Sequence, residues 1–314
     1  MSFTATLKKR WHDADSMLCV GLDPDPRRIP AHLGVGHAAL SRFCRNIIEA
    51  TADLVCAFKP QIAHFAALGA ESLLADLIEE IHQQYPGIPV ILDAKRGDIG
   101  STAQQYGIEA FDRYKADALT LSPFMGFDSI EPYFEWEGRG LILLCRTSNP
   151  GGDDLQTLNV RSEAAPDTKR HRGGTGFISS GGSLQTADEN NGQSQRLYEH
   201  LAQLAAGPWN RNGEMGLVVG ATVPHELARV RQLAPNLPLL VPGIGAQGGD
   251  IDVTVQAGLD ADGYGLIINS SRAILYASNG ANYVSAARNV AQLTRDSIRA
   301  AKVKAQDSFR RPGP

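Results

Sequence analysis

The sequence predicts a closed (β/α)8 barrel. Eight short apolar runs recur along the 314 residues, each ending in polar or glycine-rich residues. Helical patterns separate the runs. The runs themselves are near-continuously apolar, which suits parallel strands buried on both faces. Repeated strand-then-helix order implies a parallel sheet, and eight such units close a barrel. An open doubly wound sheet is the structural alternative. With 43% hydrophobic residues, the chain can bury one large core.

The first run, Met17–Leu22, gives way to Asp23-Pro24 and then to a helical pattern over Leu40–Ala52. Leu54–Phe58 is the second run, and Ala70–Gln84 the helix after it. Pro89–Leu92 leads into Asp93 and a helical pattern over Ser101–Tyr114. Ala118–Leu121 and Gly140–Cys145 are the fourth and fifth runs, too short for helices. The last three, Met215–Val219, Leu237–Val241 and Gly263–Ile268, follow helical patterns over Ser194–Gly207, Pro224–Leu233 and Asp252–Ala257. A final helix spans roughly Gly280–Gln306.

The rhythm breaks once. Residues 153–193 are rich in Gly, Ser, Asn, Thr and charge, and poor in apolar side chains. They read as a long mobile loop on the C-terminal face of the barrel, where ligands bind. Such a loop is either a passive solvated insertion or a lid or interface element. The chain thus reads as one barrel domain over 1–314, with this insertion and a Pro/Gly tail over 307–314.

Composition narrows the function. The net charge is -4 and no basic patch is visible, so nucleic acid is not an expected partner. The N-terminus lacks the apolar stretch of a secretory signal, and no run reaches the roughly 18 residues needed to span a bilayer. The four cysteines form no C-x-x-C pair, and buried reduced thiols are expected. The eight histidines show no metal-ligand spacing. These features together point to a cytoplasmic protein in which neither zinc binding nor disulfides are expected.

The chemistry is concentrated in Asp93-Ala94-Lys95-Arg96-Gly97-Asp98. Asp93 and Lys95 are two apart, so on a strand they point to one side, here at the barrel mouth. A lone Asp-x-Lys would read as a surface ion pair. A second cation, Lys59, ends the second strand, and adjacent strand ends lie within reach of each other. Lys59, Asp93, Lys95 and Asp98 then form an alternating array whose formal charge sums to zero. Such an array suits a carboxylate substrate that loses CO2. A fixed aspartate repels the substrate carboxylate by about 4 kcal/mol at 4 Å and an effective dielectric near 20, and the repulsion vanishes as CO2 leaves. A lysine beside it stabilises the carbanion and protonates it.

A phosphate end is also legible. Pro242-Gly243-Ile244-Gly245-Ala246-Gln247-Gly248-Gly249-Asp250 follows the seventh run, and Asn269-Ser270-Ser271-Arg272 follows the eighth. Barrels often bind phosphate there: glycines let backbone N–H groups approach the anion, and an arginine supplies a forked charge. A glycine-rich turn alone would be only a tight loop; the arginine on the next strand strengthens the reading.

These residues resemble the orotidine 5′-phosphate decarboxylase family. The segment D-A-K-R-G-D-I-G-S-T is similar to its D-x-K-x-x-D-I-x-x-T signature. Gly21-Leu22-Asp23-Pro24, Phe58-Lys59-Pro60, Thr147-Ser148-Asn149-Pro150-Gly151 and the run to Asp250 extend the likeness along the chain. The wording Lys-Pro-Gln and Ser-Asn-Pro-Gly is similar to the longer bacterial subgroup. The resemblance implies a nucleoside monophosphate substrate, decarboxylation without metal or cofactor, and a homodimer with shared active sites. It implies roles as well. Lys95 would protonate C6 of the pyrimidine, and Asp93 would lie against the departing carboxylate. Lys59 and Asp23 would hold the ribose hydroxyls. Asp98 and Thr102 would reach into the neighbouring subunit's site. Ser148 would contact the pyrimidine edge, and Gln247 and Arg272 would grip the phosphate. Residues 163–193 are longer than the family pattern leads one to expect.

Two other readings compete. Related barrels carry D-x-K-x-x-D and act on sugar phosphates with a metal ion, but tend to place an acidic residue where this chain has Lys59. A non-catalytic phosphate-ligand binding protein on a decayed barrel is the other; decay would have damaged the charge array, and all four members are present.

Overall fold

The computed structural model of the chain describes residues 1–161, 194–244 and 249–310. The described strands are β1 (Leu18–Leu22), β2 (Ala57–Pro60), β3 (Ile91–Arg96), β4 (Ala118–Leu121), β5 (Gly140–Arg146), β6 (Asn159–Arg161), β7 (Ser194–Arg196), β8 (Met215–Val219), β9 (Leu239–Pro242) and β10 (Leu266–Ser270). The α-helices are α1 (Phe3–Asp13), α2 (Gly36–Thr51), α3 (Ile62–Ala66), α4 (Glu71–Gln84), α5 (Gly100–Gly107), α6 (Asp153–Gln156), α7 (Leu197–Ala206), α8 (Pro224–Leu233), α9 (Ile251–Gly258), α10 (Arg272–Leu275) and α11 (Tyr283–Arg310).

Eight parallel strands run β2-β1-β10-β9-β8-β5-β4-β3. Isolated parallel bridges, Phe58 to Val90 and Gln61 to Asp93, close the circle between β2 and β3. The fold is the (β/α)8 barrel the apolar runs predict. All residues of β1, β2, β4, β8 and β10 are buried, as strands covered by helices outside and side chains inside require. Strands β2, β3 and β10 run past their apolar stretches into polar residues, so Lys59, Asp93, Lys95 and Asn269 lie on strands at the mouth. Cys19, Cys44, Cys56 and Cys145 are buried free thiols, as expected.

One helix has no apolar run to announce it. In α1, Phe3, Leu7 and Trp11 are buried at a spacing of four, one face of a helix. The Phe3 amide donates to Gly138 O at 2.8 Å and the Thr4 amide to Glu214 Oε2 at 2.7 Å. Phe3 lies flush on Gly140, where a Cβ would stand 2.3 Å from its ring. Gly140 begins β5, so α1 plugs the N-terminal end of the barrel.

Several boundaries differ from expectation. Ser194–Arg196 is not helical; it pairs antiparallel with Asn159–Arg161, with Val160 opposite Gln195. The segment read as a loop over 153–193 therefore begins with α6 and β6 and is followed directly by β7, and its residues 162–193 lie outside the described residues. The Ser101–Tyr114 helix is α5 followed by a π-helical turn over Ile108–Arg113. Gly107 at their junction sits under Trp136, where a Cβ would be 2.2 Å from the ring. The last helix starts later than Gly280, after a turn in which the Tyr283 amide donates to Gly280 O at 3.2 Å, and continues to Arg310 into the stretch read as a tail.

At the N-terminal end of the barrel, Arg231 of α8 is buried without a carboxylate in hydrogen-bond contact among the described residues. Its guanidinium donates to the carbonyls of Gly258, Ala234, Pro235, Leu237 and Gly265 at 2.8 to 3.1 Å. Burial pushes its pKa down to about 10, only partly offset by the charge of Asp260. One side chain thus ties α8 and the end of α9 to the segments entering β9 and β10.

Candidate active site

The C-terminal ends of β2, β3 and β4 bring four side chains together, with Asp93 at the centre. Lys59 Nζ donates to Asp93 Oδ2 at 2.7 Å, and Lys95 Nζ donates to Asp93 Oδ1 at 2.5 Å. Thr120 of β4 donates its hydroxyl to the same Oδ1 at 3.0 Å. Lys59 and Asp93 are buried, whereas the Lys95 side chain is 47% exposed and free to meet a ligand in the mouth.

Lys95 reaches this position by an irregular route. Its φ is +48°, a left-handed conformation that costs an L-residue roughly 1–2 kcal/mol. The β3–β4 register slips between Leu92 and Arg96, so the ladder does not pair the intervening amides. The Ala94 and Lys95 amides donate instead to Thr120 Oγ1, each at 3.0 Å. Strand alternation predicts that Asp93 and Lys95 share a side. They do converge, but through a bulge that the spacing does not reveal.

The electrostatics of the pair are coupled. Burial alone would raise the Asp93 carboxyl, but the Lys59 and Lys95 charges and their hydrogen bonds outweigh it and hold the group below the usual carboxylate range. Burial likewise favours neutral Lys59, and the charges of Asp93 and Asp23 outweigh it, holding the ammonium above its ordinary value. Both groups are therefore charged throughout the neutral range. The stability from Asp93 is present above its unfolded value of about 3.9 and lost as pH falls below it; that from Lys59 is present below about 10.4 and lost as pH rises beyond it.

Asp23, just after β1, has a buried Oδ1 with no hydrogen-bond partner, and Asn269 Oδ1 on β10 is in the same condition. Of the two, Asp23 acts on the charged pair directly, through its charge on Lys59. Asp98 stands apart from the pair: its Oδ1 accepts the Ile99 amide at 2.8 Å, and it makes no ion pair with Lys59 or Lys95. Thr102 on α5 is exposed. Around them Ile99, Phe124 and Met125 are exposed, Phe124 by 75%. Gly97 packs on Ser122, so the two loops are neighbours.

Ser148 follows β5 and lies against Gly220, where a Cβ would be 2.7 Å from Ser148 Cα. Its carbonyl accepts from Thr222 Oγ1 at 3.2 Å. Arg146, which the sequence reading passed over, is buried beside it and pairs with Asp153 at 2.5 Å and Glu226 at 3.6 Å. Its signal was only a cation ending an apolar strand.

At the predicted phosphate end, Gly243 has φ +104° and Ile244 pairs with Gly249 in an isolated parallel bridge. Gly249 has no room for a side chain: a Cβ would be 2.6 Å from Ala221 Cβ. Gln247 lies outside the described residues. Arg272 is exposed at the first position of α10, after β10. Among the described residues no group of three or more His, Cys, Asp or Glu side chains is placed to hold a metal ion. No described helix is long and apolar enough to cross a membrane.

A (β/α)8 barrel with charged side chains gathered at its C-terminal mouth defines a class, the barrel enzymes, whose active groups sit on that face. Comparison with known proteins makes this specific. The family model for orotidine 5′-phosphate decarboxylase / HUMPS matches residues 16–181 and 176–287. The chain is 54% identical to the orotidine 5′-phosphate decarboxylase of Cupriavidus metallidurans, over 95% of this chain and 98% of that protein. It is 55% identical to that of Azoarcus sp., over 96% and 99%. The solved structure of the Leishmania donovani OMP decarboxylase superimposes with a TM-score of 0.75 at 38% identity, covering 96% of this chain and 100% of that one. The chain belongs to the orotidine 5′-phosphate decarboxylase / HUMPS family, and it is an enzyme of the decarboxylase branch, a carboxy-lyase.

Proposed function

We propose that this chain converts orotidine 5′-phosphate to uridine 5′-phosphate and CO2 in pyrimidine biosynthesis, without metal or organic cofactor. The observation that carries this is the buried Asp93 carboxylate, gripped by Lys59 on one oxygen and Lys95 on the other. A substrate carboxylate placed beside Asp93 is repelled. The bond from C6 to the carboxylate breaks, its electron pair stays on C6, and CO2 leaves. The Lys95 ammonium faces that pair and gives up one proton to C6. Neutral Lys95 then regains a proton from solvent. Lys59 stays buried and charged, keeping Asp93 ionised, and Asp23, whose charge also acts on Lys59, is assigned to the ribose hydroxyls. The decisive experiment is a spectrophotometric assay of the purified chain with orotidine 5′-phosphate, with and without a chelator. Turnover insensitive to chelator is expected; loss on chelation would return the reaction to the metal-dependent relatives.

Arg272, with Gln247, is assigned to the phosphate, and Ser148 to the pyrimidine edge. Arg272→Ala is expected to raise KM by about 10- to 100-fold, the worth of a charge-assisted contact, with a smaller change in kcat. An unchanged KM places the phosphate elsewhere.

Asp98 and Thr102 are assigned to the site of a second copy of the chain. The support is that Asp98 makes no ion pair with Lys59 or Lys95 and Thr102 is exposed, while apolar Ile99 beside them, and Phe124 and Met125 on the loop after β4, are also exposed. A heterodimer of Asp98→Ala and Lys95→Ala subunits should contain one intact site of two. Mixing the two inactive variants should therefore restore turnover, and a mixture that stays inactive would contradict shared sites.

A further inference from the structure

We propose that Thr120 is a positioning residue for the proton-donating lysine, an inference that rests on the reaction proposed above. Thr120 is fully buried in β4 and touches the site through a single oxygen. That oxygen accepts the Ala94 and Lys95 amides and donates to Asp93 Oδ1, all at 3.0 Å. A hydroxyl has two lone pairs and one proton. Both lone pairs are engaged by the amides, so the proton has one destination, the Asp93 oxygen that also receives Lys95 Nζ.

This geometry links backbone to charge. The slipped register leaves two amides without a ladder partner, and Lys95 sits at φ +48°, which only surrounding structure can hold. The hydroxyl supplies the missing acceptor for both amides and orients the carboxylate that Lys95 grips. The ammonium is thereby held at both ends, through its own backbone and through its counter-ion. A valine at position 120 keeps the shape and removes all three hydrogen bonds. Lys95 then loses its fixed aim at the reacting carbon, a loss felt in the transition state more than in substrate binding.

The test compares wild type, Thr120→Val and Thr120→Ser, with steady-state kinetics on orotidine 5′-phosphate and amide hydrogen exchange at Ala94 and Lys95. Thr120→Val should lower kcat at least about tenfold with KM nearly unchanged, and both amides should exchange faster. Thr120→Ser, which keeps the hydroxyl, should return kcat to within a few-fold of wild type. Wild-type kcat in Thr120→Val would overturn the inference. So would equal damage in the valine and serine variants, which marks a purely structural role. A wild-type chain with no turnover would instead overturn the proposed reaction; unchanged exchange at Ala94 and Lys95 would then still refute the hold on Lys95.

Discussion

Replacing Lys95 by alanine is expected to reduce kcat on orotidine 5′-phosphate by roughly 10⁴-fold or more. Two contributions vanish together. A placed general acid is worth about 10²- to 10⁴-fold, and removing a fixed charge that faces developing negative charge costs about 10²- to 10³-fold. The fold should survive. The Lys95 side chain is 47% exposed, so its ion pair is partly screened by solvent and worth about 1 kcal/mol or less. Asp93 also keeps the buried Lys59 as partner, and its charge is not stranded. Single-turnover and steady-state assays, with an unfolding curve for the same sample, separate the two effects. Activity within tenfold of wild type would remove Lys95 from the proton transfer.

The second large effect is on stability, at the far end of the barrel. Arg231→Met is expected to lower the unfolding free energy by about 3 kcal/mol or more. An apolar replacement for a buried charge is often harmless, because it also removes the cost of desolvating that charge. Arg231 differs in its partners, five backbone carbonyls and no hydrogen-bonded carboxylate. Of the five, Ala234 O also accepts the Leu237 amide and Gly265 O the Leu239 amide, which leaves the carbonyls of Gly258, Pro235 and Leu237. Each carbonyl left buried without a donor costs about 1–3 kcal/mol, and local relaxation recovers only part of that. Arg231→Lys should fall between, since three donors on a narrow ammonium cannot match a planar fork. Urea unfolding midpoints measure the series. Near-wild-type stability in Arg231→Met would mean that the carbonyls find other donors. The kcat of the folded fraction should not change, because the carbonyls of Leu237 and Gly265 precede β9 and β10, away from the mouth.

The barrel was legible because its strands are buried on both faces and so leave unbroken apolar runs. The short hairpin of Asn159–Arg161 with Ser194–Arg196 was not, because its residues are polar and mostly exposed, and nothing distinguishes them from loop. The helix Phe3–Asp13 carries a helical signal, Phe3, Leu7 and Trp11 four apart, but it precedes the first strand and so falls outside the strand-then-helix repeat. Lys59, Asp93 and Lys95 were legible as charges at the ends of apolar strands, where burial makes charge expensive and therefore meaningful. Thr120 was not: inside Ala-Leu-Thr-Leu it reads as a β-branched strand former, and only the slipped register exposes what its hydroxyl does. Arg231 resembles any solvated cation on an amphipathic helix until the neighbouring carbonyls are seen to surround it.

The barrel closes between β2 and β3 by two isolated bridges, and one of them involves Asp93 itself. This is the seam of the cylinder, and the Lys59–Asp93 ion pair spans it. The groups assigned to the chemistry thus also act as a rivet through the joint where the backbone ladder is sparsest. A substitution at Asp93 or Lys59 loosens the vessel as well as changing its charge. Lys95, which hangs from one side of the joint only, is the member of the array whose chemistry can be removed without opening it.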